Sequence, residues 1–278
     1  MKLKRILALA LVVVLALAFC ACQSQPANTD TASDADEAVS TDSDLAYIQD
    51  KGDMVIGYTL FAPMNYMEGD ELVGFETEFA TAVCEKLGVT PSFQIINWDT
   101  KEMELSSKNI DCIWNGMTIT DERKENMSVT NPYMDNRQVL VVKAENAEAY
   151  AESVEGLEVV AEAGSAGADL ISDDEFFAAA VATEVTDQAT ALMDVAAGTS
   201  DVAVVDYITS IGSTGEGTDY EDLVAIDLDF PGEEYGVAFR KGSDVTAEVN
   251  AAIAELIADG TLLEIAEKYG LADVLVTD

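Results

Sequence analysis

From Met54 onward the chain alternates short Val- and Ile-rich runs with segments of helical periodicity, and this alternation restricts the fold more than any other feature. MVIGY is followed by GFETEFATAVCEKLG, SFQII by KEMELSSK, and IDCIW by TDERKENM. In the first helical segment Phe75, Phe79, Val83 and Leu87 share one face, and Gly88 is placed to stop it. A second set begins at QVLVVKA, residues 138–144, and runs through LEVVAEAGSAG, a helix near 168–177, ATEVT, QATALMDVAAG, SDVAVVDY and LVAIDLDF. EYGVAFRKGS then leads into VTAEVNAAIAELIADG and TLLEIAEKYG, where Val245, Val249, Ile253, Leu256 and Ile257 form a core-facing stripe. Strand and helix in turn predict an α/β fold, and the roughly 230 residues after Leu45 suffice for two modest lobes or one large domain.

The first 44 residues read differently. MKLKRILALALVVVLALAFCACQSQ has a basic start, an apolar run from Ile6 to Phe19, then small residues and cysteines, the anatomy of an export signal. A run of about 14 apolar residues is short of the roughly 20 that a spanning helix needs. Its end resembles a bacterial lipobox, and Ala21 before Cys22 fits that rule better than Phe19 before Cys20. Residues 1–22 are thus expected to be a lipoprotein signal peptide, with Cys22 the lipidated first residue of the mature chain. Residues 23–44, rich in Ser, Thr, Ala and Asp, have almost nothing to bury and are expected to be a disordered tether.

Charge and composition exclude whole classes of function. Three of the 14 basic residues lie in the leader, which leaves 11 against 53 acids. A surface this acidic offers no footprint for nucleic acid. Histidine is absent, which removes Ser-His-Asp and Cys-His catalysis and most zinc chemistry. Outside the leader only Cys84 and Cys112 remain, each within an apolar pattern; they read as buried thiols, and a disulfide between them stays open. No spacing suggests a metal site or a cofactor.

Against that acidity, DCIWNGMTITDER, residues 111–123, stands out for its arginine. Thr120 is an N-cap, Asp121 and Glu122 sit in the positive first turn, and Arg123 falls at the third helical position. Alone, this describes an arginine on a solvated helix face. A strand passing through Gly116 into a helix start, however, aims backbone N–H groups at one point, and an arginine one turn later can reach back to grip a carboxylate.

Here the sequence resembles the solute-binding proteins of polar amino acid ABC transporters. The likeness spans nearly all of residues 47–270, through MVIGYTLFAPMNY, GDELVGFETEF, LSSKNIDCIWNGMTITDERKENMSVTNPY, the VVAEAGSAG loop, DVAVVDY and EYGVAFRKGS. The resemblance implies a type II, two-lobed periplasmic-binding-protein-like fold, each lobe a sheet flanked by helices, joined by two crossover strands. Lobe 1 would take residues 45–136 and 233–278, and lobe 2 residues 137–232. It also implies that Arg123 holds a ligand α-carboxylate, aided by backbone N–H groups near Thr118, Ser165 and Ala166. Asp206 would take the α-ammonium, with the Gly116 carbonyl and the Thr118 hydroxyl, between apolar walls from Phe61 and Trp98. Asp206 also reads as a helix N-cap, Trp98 as core, and Trp114 is expected in the core.

Departures from the family pattern bear on the ligand. Tyr58 stands where many relatives have an aspartate, so a strong preference for a cationic side chain is not implied. Asn115 is expected to add an amide to the pocket floor. Glu162 either contacts the ligand side chain, inviting a cationic or amide-bearing group, or is a solvated charge at a strand end. The expected function is lipid-anchored, extracytoplasmic capture of a polar L-amino acid by a monomer that hands it to an ABC permease and its ATPase. A cyclohexadienyl-dehydratase-like enzyme and a sensing module on the same fold are the alternatives.

Overall fold

The structure, a computed structural model, describes residues 43–277. The expected signal peptide, Cys22 and most of the expected tether lie outside the described residues. The Ser43 hydroxyl accepts from the Ala46 N–H as the N-cap of α1 (Asp44–Lys51).

The chain then builds β1 (Asp53–Tyr58), the hairpin β2 (Tyr66–Glu68) and β3 (Glu71–Val73), α2 (Phe75–Leu87), β4 (Thr90–Ile95), α3 (Lys101–Ser106), β5 (Cys112–Ile113), α4 (Asp121–Asn126) and β6 (Met127–Val129). β7 (Met134–Lys143) leads into α5 (Ala147–Glu152), β8 (Glu158–Glu162), α6 (Ala166–Asp173), β9 (Val181–Val185), α7 (Gln188–Ala197), β10 (Val202–Asp206), α8 (Tyr207–Ser213) and β11 (Leu223–Ile226). β12 (Gly232–Tyr235), β13 (Ala238–Arg240), α9 (Val245–Ala258) and α10 (Thr261–Lys268) complete it.

Two sheets result. The first has the order β4-β1-β5-β13-β6, the second β11-β7-β10-β8-β9 with β12 pairing to β7. β1 is parallel to β4 and β5, and β8 is parallel to β9 and β10, as expected where helices link successive strands. The chain passes between the lobes twice, along β7 and along β12. These two strands are hydrogen-bonded antiparallel to each other, Gly232 opposite Arg137 through Tyr235 opposite Met134.

Each sheet is buried by the helices the periodicity predicted. Phe75, Phe79 and Val83 of α2 pack with Val245, Val249, Ile253 and Leu256 of α9 and with Trp114 in the core of the first lobe. The Trp114 ring meets Phe79 edge-on at 4.9 Å. In the second lobe Val139, Val141, Val160, Ala203 and Val205 face Ala191, Leu192 and Val195 of α7. Cys84 and Cys112 are separate buried thiols in the first core, and burial pushes the Cys84 thiol up to about 12. Among the described residues no helix is long and apolar enough to cross a membrane.

Candidate functional site

A small, tight cleft lies between the lobes. Phe61, Trp98, Asn115, Gly116, Thr118 and Arg123 line it from the first lobe, and Glu162, Ser165, Ala166, Gln188 and Asp206 from the second. Every residue expected at the site is there except Tyr58.

Arg123 is placed as the sequence suggests. The Thr120 hydroxyl caps α4 by accepting from the Arg123 N–H at 3.1 Å. The side chain folds back, and Nη1 donates to the Thr118 carbonyl at 2.8 Å. Only 7% of the residue is exposed, and burial lowers the guanidinium pKa. The other two described arginines are neutralised, Arg137 by Asp227 at 2.6 Å and Arg240 by Asp44 at 2.9 Å. Arg123 takes part in none of the ion pairs among the described residues. Opposite it stands the N-terminus of α6, where the Ser165 hydroxyl accepts from the Ala168 N–H. A buried guanidinium and a helix N-terminus facing one space form an anion site.

Asp206 supplies the opposite sign. It occupies the N-cap position of α8, but its carboxylate makes no capping bond. Instead Oδ1 accepts from Asn136 Nδ2 at 2.6 Å and Gln138 Nε2 at 2.8 Å, and Oδ2 accepts from Gln188 Nε2. The same two amides, Asn136 and Gln138, also donate to Glu233 Oε2, at 3.0 and 3.1 Å, as does the Thr118 hydroxyl at 3.0 Å. Burial raises the Asp206 pKa, and burial followed by the Asp206 charge raises that of Glu233. Donors surround this carboxylate, yet none is a cation. An ammonium delivered to it would relieve the cost of its burial.

Gly116 joins the strand to the arginine helix at φ +54, and a Cβ there would sit 2.3 Å from Phe61 Cε1. Its N–H donates to Glu76 Oε1 at 2.8 Å, and Tyr133 Oη donates to the same oxygen. Burial raises the Glu76 carboxyl to about 7. Glu76 thus fixes the turn that brings Gly116 to the cavity.

Glu162 is not a solvated charge. It is 3% exposed, and one of its oxygens has no hydrogen-bond partner. Burial first, then the charges of Asp206 and Asp187, push its carboxyl up to about 8.

Two expectations need correction. Tyr58 does not reach the cavity; its ring packs edge-on against Phe93 at 6.1 Å. Asn115 does line the cavity, but its amide is fully used. Its Oδ1 accepts from the Thr59 N–H and hydroxyl, and its Nδ2 donates to the Thr59 carbonyl and to Asn65 Oδ1. With both donors and both lone pairs engaged, it braces the floor and has nothing left for a ligand.

Sequence reasoning missed Gln188, Asn136, Gln138 and Glu233. The signal available was in β7, where two amides at alternate positions precede the apolar run of residues 139–142: Asn136 and Gln138 share a face and both are buried.

The chain is similar to known proteins over most of its length. The chain is 32% identical to the L-cystine-binding protein TcyJ of Escherichia coli over 232 residues, 82% of this chain and 86% of that one. Among solved structures, an ABC uptake transporter substrate-binding protein from Streptococcus pneumoniae with bound histidine superposes with a TM-score of 0.79 at 32% identity, covering 85% of this chain and all of the other. An ancestral amino acid-binding protein, AncCDT-1, described as a precursor of cyclohexadienyl dehydratase, matches with a TM-score of 0.74 at 27% identity, over 82% of this chain and 99% of its own. The model of the bacterial extracellular solute-binding proteins, family 3, matches residues 54–272, and with two lobes closed over a charged cavity the chain belongs to that family.

Proposed function

We propose that the cavity holds one zwitterionic polar L-amino acid, with its carboxylate on Arg123 and the start of α6 and its ammonium on Asp206, the Gly116 carbonyl and the Thr118 hydroxyl. One observation carries this reading: two buried side chains of opposite charge, one from each lobe, line the same small space and neither has a charged partner of its own. Burying an unpaired charge costs several kcal/mol, about as much as a free amino acid can relieve at both ends at once. The closed form therefore binds such a ligand better than the open one, which is all that ligand-driven closure requires. Phe61 and Trp98 supply the apolar walls. The unpartnered oxygen of Glu162 favours a ligand side chain that brings an N–H donor. The cystine and histidine named for two relatives both lie within the polar class.

In this reading the protein delivers its ligand to an ABC permease and its ATPase, acting as a monomer held to the outer membrane face by a lipid on Cys22. The hinge lies in the β7–β12 pair, with the lobe boundaries near residues 136 and 232. Calorimetry with a panel of L-amino acids tests it directly. Binding of at least one polar member well below the millimolar range is expected, and if none binds better than that, about 4 kcal/mol, the reading fails.

Glu162 also supports a second reading. A cavity carboxyl that stays protonated near neutral pH can act as a general acid, and one neighbour is a dehydratase precursor. Conversion of a cyclohexadienyl acid by the purified protein would establish it, whereas stoichiometric binding of an unaltered amino acid speaks for capture.

A further inference from the structure

Lys101 opens α3 in the first lobe, yet it is only 5% exposed. Its ammonium lies 4.8 Å from the centre of the Trp98 ring and donates to the Trp98 carbonyl at 3.2 Å, both on its own lobe. Its third contact crosses the cleft: Nζ donates to the Gly164 carbonyl, in the loop before α6, at 2.9 Å. Among the described residues the only other donor bonded to that carbonyl is Arg123 Nη2, at 3.5 Å, the outer limit of a hydrogen bond. We propose that Lys101 is a closure latch, a positioning residue whose bond to Gly164 holds the lobes together and leaves the Arg123 guanidinium free for the ligand.

The direction of the effect follows from the Gly164 carbonyl. In the closed form it is part-buried, and without Lys101 it keeps only the long contact to Arg123. In the open form water serves it equally well. Removing the lysine donor therefore penalises the closed form alone. Burial first, and then the neighbouring Arg123 charge, push the Lys101 pKa down to about 8, so the ammonium form still predominates at neutral pH. Lys101 itself does not line the cavity, so it acts on binding through closure. A ligand can leave only after the Lys101–Gly164 bond breaks, and binding is weakened in proportion to the loss of the closed population.

The latch rests on the cleft described above but not on any one ligand, so its test has two arms. Small-angle X-ray scattering of the ligand-free protein is expected to give a larger radius of gyration for Lys101→Met than for wild type. Stopped-flow release of whichever amino acid binds in the panel is expected to speed up at least about threefold, with association within about twofold. Should the apolar variant fail to fold, Lys101→Gln keeps an N–H donor without the charge and is expected to open and release to an intermediate degree. Unchanged scattering together with unchanged release in the folded variant overturns the latch. If no amino acid binds at all, the capture reading falls, and the scattering arm still decides the latch.

Discussion

At the scale of single residues, charge without a partner is what gives the cavity its purpose. Arg123→Ala is expected to weaken binding at least tenfold, about 1.4 kcal/mol, and Asp206→Asn by a similar factor. The two losses should be separable. In calorimetry the arginine variant should no longer prefer the free acid over its carboxamide, and the aspartate variant should no longer prefer the amine over its deaminated analogue. Equal losses toward all analogues would place these side chains away from the ligand ends. Glu162 makes a different prediction. Its carboxyl titrates near 8 in the folded chain against an ordinary 4.5, so it favours the folded state below 4.5 and loses that contribution as pH rises to about 8. In thermal melts of ligand-free protein, the stability of wild type relative to Glu162→Gln should therefore fall between pH 5 and pH 9. A gap that stays constant or widens contradicts the buried, protonated carboxyl.

At the scale of elements, the turn from β5 into α4 places the arginine, and its weak point is Gly116. Gly116→Ala adds a Cβ both to a left-handed backbone and to the space of the Phe61 ring. A drop in Tm of at least roughly 3 °C is expected, together with weaker binding because the Gly116 carbonyl is displaced. A variant as stable as wild type would mean that the ring moves aside without cost. The strand and helix order of both lobes was legible in the sequence because apolar spacing records which face is buried, as in Phe75, Phe79 and Val83 of α2. The Thr120 cap and the place of Arg123 were legible for a related reason, since capping chemistry is local. What brings side chains to the cavity from distant segments was much less so. Gln188 and Gln138 carry no charge and no motif; the pairing of β7 with β10 sets Gln138 opposite Asp206, and Gln188 reaches the same carboxylate from the start of α7. Tyr58 is the last residue of β1 and packs on Phe93, a contact with the neighbouring strand that the sequence does not mark. Lys101 lay in a segment that reads only as helix, because its cross-cleft partner is a backbone carbonyl, which leaves no trace in sequence.

At the scale of the whole molecule, 53 acids against 14 bases give a net charge of −39, and that charge repels itself. Raising NaCl from about 10 mM to about 150 mM shortens the screening length to about 8 Å and should raise the Tm, by an amount on the order of a few degrees. A flat or falling Tm would show that ion pairs such as Arg240 with Asp44 outweigh the repulsion. The family's two-lobed form also makes sense of the β7–β12 pair. β7 begins beside β12, where the chain crosses, and runs on from Gln138 to Lys143 in the second sheet, carrying Asn136 and Gln138 at its near end. In the proposed reading, where this pair is the hinge, the grip on Asp206 is mounted on the pivot itself. A guest that tugs on that carboxylate acts at the axle and not at the rim, so recognition and swivelling share one strand and no relay through the lobes is needed.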